Sequence, residues 1–305
     1  MNYFLFNLAV KSDICLPNAP YTDLSDAVPD VSITRIDKLD INVASMKQVA
    51  VYCWCLPTSF LIHIPNLALC HVYDGKHIDI EYDDCVDMGL LTAYIEGYLF
   101  AILLQQRGHL VLHGTVLKKN EQAIAICGVS GAGKSTLALA LIQQGWSLVS
   151  DDVCAFDKNG NLLAGCTDIK VWPDIVETLA LGEQPCFSPQ LEKRQITMEP
   201  QLPLLVNSVQ PLRLAALYCI EPESMSISIS EFVGMRKFAP LRANCYREQF
   251  LQAMETELLF MNHCSAFFRD RPVYKLQRDK HKLSYEGLNQ LVNLVTDSLP
   301  IQAIG

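Results

Sequence analysis

The chain has 305 residues, 50% of them hydrophobic, with 24 Lys and Arg against 33 Asp and Glu for a formal net charge of -9. That supplies core for two domains or one large one, and the acidic balance argues against nucleic acid or an anionic membrane as the main partner, since both select basic surfaces. The twelve cysteines include no CxxC pair and follow no signal-peptide pattern, which predicts reduced, mostly buried thiols in a cytoplasmic protein.

Residues 1–82 read as a β-rich segment. Strands are expected over Tyr3 to Val10, Ser32 to Arg35, Val49 to Cys55, Ser59 to Ile64, Leu67 to Tyr73 and, after the Asp74-Gly75 turn, His77 to Tyr82. This spacing predicts antiparallel hairpins, and the segment carries no catalytic constellation. Cys53 and Cys55, alternate residues of one strand, face one side; a metal there would need further ligands.

The period turns helical from Asp87 to Gln106, where Leu90 to Leu104 is too short for a bilayer span and reads as a buried helix that ends at Gly108. Strand follows at His109 to His113 and Thr115 to Leu117, then a polar turn over Lys118 to Glu121. The apolar run Ala123 to Cys127 reads as a buried strand. It leads into Gly128-Val129-Ser130-Gly131-Ala132-Gly133-Lys134-Ser135-Thr136, which satisfies G-x-x-x-x-G-K-[ST], and a helix from Lys134 to Gln144 stops at Gly145. Glycines at Gly128, Gly131 and Gly133 let the loop amides, with those of Ser130 and Ala132, turn toward a phosphate, and the helix N-terminus adds positive potential. Lys134 then reaches the β- and γ-phosphates of a nucleotide while the Ser135 hydroxyl, followed by Thr136, holds Mg²⁺.

Trp146 to Ser150 reads as a strand ending in Asp151-Asp152. A hairpin at Lys158 to Asn161, a strand at Ile169 to Trp172 and a short helix at Asp174 to Leu181 follow, then a loop-like stretch from Gly182 to Leu205 with the basic pair Lys193-Arg194. Leu212 to Ile220 and Val273 to Leu276 read as strands, and Ser230 to Ala239, Tyr246 to Met261 and Leu283 to Ser298 as helices. Ligands of open α/β sheets bind beyond strand C-termini, so one carboxylate of the pair is expected to hold metal, with Asp151 assigned there, and its neighbour to reach an attacking hydroxyl. His113 is placed at a strand end beside the phosphate loop, either near the γ-phosphate or as a hydrogen-bonded structural residue.

Three blocks carry a resemblance: Leu112-His113-Gly114-Thr115-Val116, then Cys127 to Thr136, then Gly145-Trp146-Ser147-Leu148-Val149-Ser150-Asp151-Asp152-Val153. In order and spacing they resemble the catalytic core of the HPr kinase/phosphorylase family, well over about residues 107–155 and loosely elsewhere. The layout is similar to the stand-alone HPr-kinase-related proteins of ribosomal peptide biosynthesis, lasso-peptide kinases among them, to which Trp172-Pro173-Asp174 and Lys193-Arg194 also correspond. The resemblance implies a mixed α/β fold, with a phosphoenolpyruvate-carboxykinase-like P-loop kinase core over 83–305 behind the N-terminal β-rich segment. It implies an ATP- and Mg²⁺-dependent serine kinase acting on a protein or peptide, with His113, Lys134, Asp151 and Asp152 as catalytic residues. The family's later Glu-Ile-Arg-Gly-Leu-Gly-like segment has no counterpart here, which leaves reverse phosphorolysis without its residues. A kinase of a free serine-type small molecule and a non-catalytic nucleotide sensor stand as the alternatives, and a homo-oligomer is compatible with either.

Overall fold

The computed structural model describes residues 1–23, 28–173, 175, 194–197, 211–224, 226–279 and 284–299. Strands β1 (Asn2–Leu5), β2 (Leu8–Ser12), β3 (Val31–Arg35), β4 (Lys47–Ala50), β5 (Cys53–Leu56), β6 (Ser59–Ile64), β7 (Ala68–Tyr73) and β8 (His77–Glu81) form one sheet in the order β1-β2-β3-β8-β7-β6-β5-β4. Buried and half-buried residues alternate along β1, β7 and β8, so one face meets the core.

Two expectations change here. Tyr3 to Val10 is not one strand: Phe6 and Asn7 take positive φ of 52° and 59° and close a two-residue hairpin. A phenylalanine is uncommon in that region; its buried ring, 5.8 Å from that of Phe100, offsets the local cost. Nor is the sheet purely antiparallel, because β2 pairs with β3 and β3 with β8 in parallel. Val49 to Cys55 likewise splits at Val51-Tyr52 into β4 and β5, while Cys53 and Cys55 both point into the core.

Helix α1 (Met88–Gln106) has Asp87 as N-cap, its carboxylate accepting the Leu90 N–H at 2.9 Å, and carries a π-helical turn over Tyr94–Leu99. At 19 residues it is long and apolar enough to cross a membrane by length and composition, yet 67% of that window is buried inside the protein. Leu91, Ile95, Leu99, Phe100 and Leu103 share one core with Val72 and Ile78 of the first sheet and with Val111 and Ala155 of the second. The helix thus joins the two sheets. Its end is tied down where the Gln106 side chain donates to the Val72 carbonyl and accepts the Gly75 N–H.

The second sheet uses β9 (Leu110–Lys119), β10 (Gln122–Cys127), β11 (Ser147–Ser150), β12 (Val153–Phe156), β13 (Leu162–Leu163), β16 (Leu214–Ser224), β17 (Ser228–Phe232) and β18 (Val273–Asp279). Its order is β13-β12-β9-β10-β16-β18-β17, with β11 also paired to β9; β14 (Asp168–Val171) and β15 (Arg194–Thr197) form a separate antiparallel pair. Strands β10, β16 and β18 run parallel, so their C-terminal ends open at one edge. Helix α2 (Lys134–Gln143) and the last helix, α6 (Tyr285–Asp297), cover one face; α3 (Phe238–Ala243), α4 (Gln249–Ala253) and α5 (Glu257–Phe268) lie between β17 and β18 in the chain.

The expected helix from Ser230 to Ala239 begins instead as edge strand β17, antiparallel to β18, and becomes helical only from Gly234 (φ 58°), as a 3-10 turn over Gly234–Lys237 that leads into α3. The expected helix from Tyr246 to Met261 is broken between α4 and α5 at Glu255, φ 57°. The helix expected over Asp174 to Leu181 lies almost wholly outside the described residues, as do Lys193 and most of the stretch from Gly182 to Leu205. Among the described residues the cysteines are all free, and all but Cys15 and Cys85 are buried.

Candidate functional site

Strand β10 ends at Cys127 and the chain turns through the glycine loop into α2, whose N-cap Gly133 has φ 102°. Gly128 has φ 151°, and a Cβ there would lie 2.9 Å from the Ile220 carbonyl and 3.1 Å from Ala132 Cβ, so only glycine lets the loop leave the sheet at this point. Val129, Ser130 and Gly131 are exposed at the tip, Ala132 and Lys134 are buried, and Gly133, Ser135 and Thr136 are half-buried. The Ala132 N–H closes the loop on the Val129 carbonyl at 3.0 Å. In this conformation the Lys134 ammonium donates to the carbonyls of Gly128 at 2.7 Å and Val129 at 3.3 Å, so the cation sits within the loop it is expected to serve.

Strand β9 lies directly beside β10, with Gly114 opposite Cys127 and Thr115 opposite Ile126. His113 is therefore in the middle of a ten-residue strand, not at a strand end, and one register position from the residue that precedes the loop. Gly114 permits this approach: a Cβ on it would meet Cys127 Sγ at 2.8 Å and the Ile126 carbonyl at 2.9 Å.

Across β9, away from β10, β11 ends at Ser150 and β12 starts at Val153, and Asp151-Asp152 forms the turn between them. One strand thus separates the aspartates' strands from the phosphate-loop strand. Asp151 Oδ1 accepts the Thr115 hydroxyl at 2.5 Å and Oδ2 the Lys170 N–H at 3.1 Å. Burial first, and then the neighbouring Asp152 carboxylate, push its pKa up to about 6 against these hydrogen bonds. Asp152 has φ 64°, a left-handed conformation that aspartate tolerates better than most residues. Its Oδ2 lies 3.2 Å from Lys170 Nζ, with the carboxylate side chain 32% exposed. Burial alone would lower the Lys170 pKa; Asp152, Asp168 and Asp151 outweigh it and hold the ammonium above its ordinary value.

The Asp152 carbonyl ties the pair to β9, accepting the Gly114 N–H at 3.3 Å and lying 3.1 Å from His113 Nδ1. A carbonyl only accepts, so the proton of this bond is on Nδ1 and the Nε2 of a neutral His113 is the ring's acceptor. The Tyr246 ring meets the imidazole edge-on at 6.0 Å. Behind Lys170, the ligand atoms of buried Glu96, Cys166 and Asp168 lie within 4.8 Å of one another, and Asn18 donates to both oxygens of Glu96.

The structure thus joins His113, Asp151 and Asp152 through hydrogen bonds and sets them one strand from the loop that holds Lys134 and Ser135. Reading the sequence did not find Thr115, Lys170, Tyr246 or Arg278, whose guanidinium donates to the Gly131 and Ala132 carbonyls. Thr115 stands two residues after His113, and Lys170 alternates with Asp168 on one strand; for Arg278 the sequence offers no signal.

A mixed α/β chain with a strand, glycine loop and helix set against a paired-aspartate turn defines the class. The HPr Serine kinase C-terminal domain family model matches residues 106–182, the stretch that carries this core, so the chain is similar to that family over about a quarter of its length. Similar relatives are the HPr kinase/phosphorylase of Azoarcus sp., 37% identical over 71 residues (23% of each chain), and that of Lactobacillus acidophilus, 33% identical over 76 residues (25% of this chain, 23% of the relative). The matches therefore span about a quarter of either curated relative. Among solved structures, the Hpr(Ser) kinase/phosphatase from Coxiella burnetii aligns at 17% identity with a TM-score of 0.31, covering 61% of this chain and 88% of that one.

Proposed function

We propose that the protein is an ATP- and Mg²⁺-dependent kinase that transfers the γ-phosphate to a serine hydroxyl of a protein or peptide. The observation that carries this reading is the Asp152 peptide. Its carbonyl is held by His113 and Gly114 beside the phosphate-loop strand, while its half-exposed carboxylate is held by Lys170. A sensor needs no carboxylate so supported. Asp152 accepts the serine proton in this reading, His113 supports the turn that aims it, and Lys134 leaves the Gly128 and Val129 carbonyls for the phosphates.

The residues present fit Mg²⁺. Asp151 offers hard oxygens, and its pKa, raised by burial and by the adjacent Asp152, is what a cation at the pair would reverse. Asp151 and the Ser135 hydroxyl would hold the ion, which supplies charge neutralisation on the transferring phosphoryl group. Division at residues 82 and 83, with the β1–β8 sheet recognising the acceptor, belongs to the same proposal. For acceptor recognition, the support is a cleft of about 520 Å³ lined by Asp37, His63, Leu67, Glu81, Tyr82 and Val86.

Incubation with γ-labelled ATP, Mg²⁺ and a serine-containing peptide library tests the reading. Label on serine is the expected result. Tight ATP binding with no label on any protein, peptide or free serine, with the wild-type chain folded, overturns it in favour of a sensor.

A further inference from the structure

Two cations grip the phosphate loop from two directions. Lys134, from the helix that follows the loop, takes the carbonyls of Gly128 and Val129. Arg278, at the far end of β18 and two strands from β10, takes the next carbonyls: Nε donates to Ala132 at 2.6 Å and an Nη to Gly131 at 3.0 Å. The other Nη donates to the Asp279 carbonyl at 2.7 Å, which fixes the guanidinium plane at its own strand end. Arg278 is 146 and 147 residues from the two carbonyls it takes, and parallel pairing of β10, β16 and β18 brings them to the same edge.

The two grips differ in what nucleotide asks of them. Lys134 must give up its carbonyls to reach phosphate, whereas Arg278 contacts the loop through the opposite side of the peptides. Each peptide is planar and trans, so its carbonyl and N–H point in opposite directions. An Ala132 carbonyl held outward on the guanidinium turns the Gly133 N–H inward, at the N-terminus of α2, where amides meet phosphate. Gly131 (φ 80°) and Gly133 (φ 102°) have the backbone freedom to flip that peptide if nothing holds it.

We propose that Arg278 is a positioning residue of the nucleotide site: by bridging the Gly131 and Ala132 carbonyls from β18, it keeps the loop in its phosphate-accepting shape when Lys134 switches from carbonyls to phosphate. The inference rests on the nucleotide reading of the loop. It predicts that Arg278 tunes affinity for the phosphate portion of ATP without touching the acceptor. A planar fork of donors suits this role, because a guanidinium anchored at its own strand end fixes the plane of both carbonyls, whereas a freely rotating ammonium does not.

The test compares wild type, Arg278→Ala and Arg278→Lys by calorimetry with Mg-ATP and with pyrophosphate, by hydrogen exchange at the Gly133 and Lys134 amides, and by steady-state kinetics. Arg278→Ala should bind both ligands at least about tenfold more weakly, the loss of two charge-assisted bonds incompletely transmitted, and Arg278→Lys should fall between. Loop amides should exchange faster while those of β10 do not, and KM for ATP should rise while KM for the acceptor stays. Should Arg278→Ala fail to fold, the same comparison on Arg278→Lys decides. Wild type that binds Mg-ATP alongside folded variants that bind it equally overturns the role of Arg278 alone. Wild type that binds neither ligand overturns the nucleotide reading and this inference with it.

Discussion

Lys170 contacts both members of the aspartate pair, its ammonium 3.2 Å from Asp152 Oδ2 and its backbone N–H 3.1 Å from Asp151 Oδ2. The backbone contact survives any substitution but proline, so the side chain is separable by mutation. Lys170→Met leaves Asp152 facing Asp151 without a cation between it and the Asp168–Glu96 cluster. Transfer should fall by about ten- to a hundredfold, because the base loses its orientation, a change of about 1.4 to 3 kcal/mol in the barrier. Mg-ATP affinity should change by no more than a few-fold, as the Lys170 contacts among the described residues go to the aspartates and not to the loop. Single-turnover transfer measured beside calorimetry checks this; equal losses in both would place Lys170 in nucleotide binding instead.

The two aspartates should separate on substitution. Asp152→Asn keeps size and hydrogen bonding but cannot take a proton, so transfer should drop by about 10²- to 10⁴-fold with ATP binding nearly intact. Asp151→Asn should move the Mg²⁺ titration to higher concentration. It also exchanges a carboxylate oxygen that accepts from Thr115 or Lys170 for an amide that donates, so some loss of stability is expected. Unchanged transfer by Asp152→Asn would remove that residue from the role of base.

Glu96 gives a pH signature of stability. Burial, only partly opposed by the hydrogen bonds from Asn18, raises its pKa from 4.5 to about 7. The folded protein therefore binds this proton more tightly than the unfolded chain. Its contribution is fully present below about pH 4.5, declines as pH rises, and is lost above about 7. Glu96→Gln removes the buried charge at the cost of one good acceptor for Asn18. It should flatten the stability profile between those limits and, at pH 8, stabilise the protein by about 1 to 3 kcal/mol. Urea melts of both proteins at pH 5, 6.5 and 8 read this directly, and an unchanged slope would show that Glu96 is ionised in the fold without penalty.

Much of the second sheet was legible because its signals are local. The glycine loop, the helix stop at Gly145, the Asn159-Gly160 turn and the aspartate pair each depend on a few consecutive residues. The first sheet was legible as strands but not as pairing, since β2, β3 and β8 meet through long connections that composition does not specify. Ser230 to Phe232 was misread as helix because a half-exposed edge strand has no apolar stripe strong enough to outweigh the helical spacing that follows. Site residues split the same way: His113, Lys134 and Asp152 belong to short motifs. Lys170 and Arg278 reach the site only through tertiary pairing: for Lys170, beside the aspartates, the alternation with Asp168 is a faint hint, and for Arg278, across two strands, nothing in its neighbours announces it.

Gly114 is where fold and site depend on one missing atom. A Cβ there would meet Cys127 Sγ at 2.8 Å and the Ile126 carbonyl at 2.9 Å, the first a side chain that can rotate and the second backbone that cannot move unless β9 parts from β10. Gly114→Ala should therefore destabilise by about 1 to 3 kcal/mol, the usual range for overpacking a full core. The displacement falls next to the phosphate loop, and the Gly114 N–H also holds the Asp152 carbonyl, so transfer should suffer beyond the lost stability. Adding Cys127→Ala removes the thiol clash and leaves the carbonyl clash, so the double variant should recover only part of the loss. Denaturant midpoints and transfer rates for the two variants and for Cys127→Ala alone test this. Full recovery in the double variant would assign the whole cost to the thiol, and a Gly114→Ala protein with wild-type stability and rate would show that β9 has room the geometry denies it.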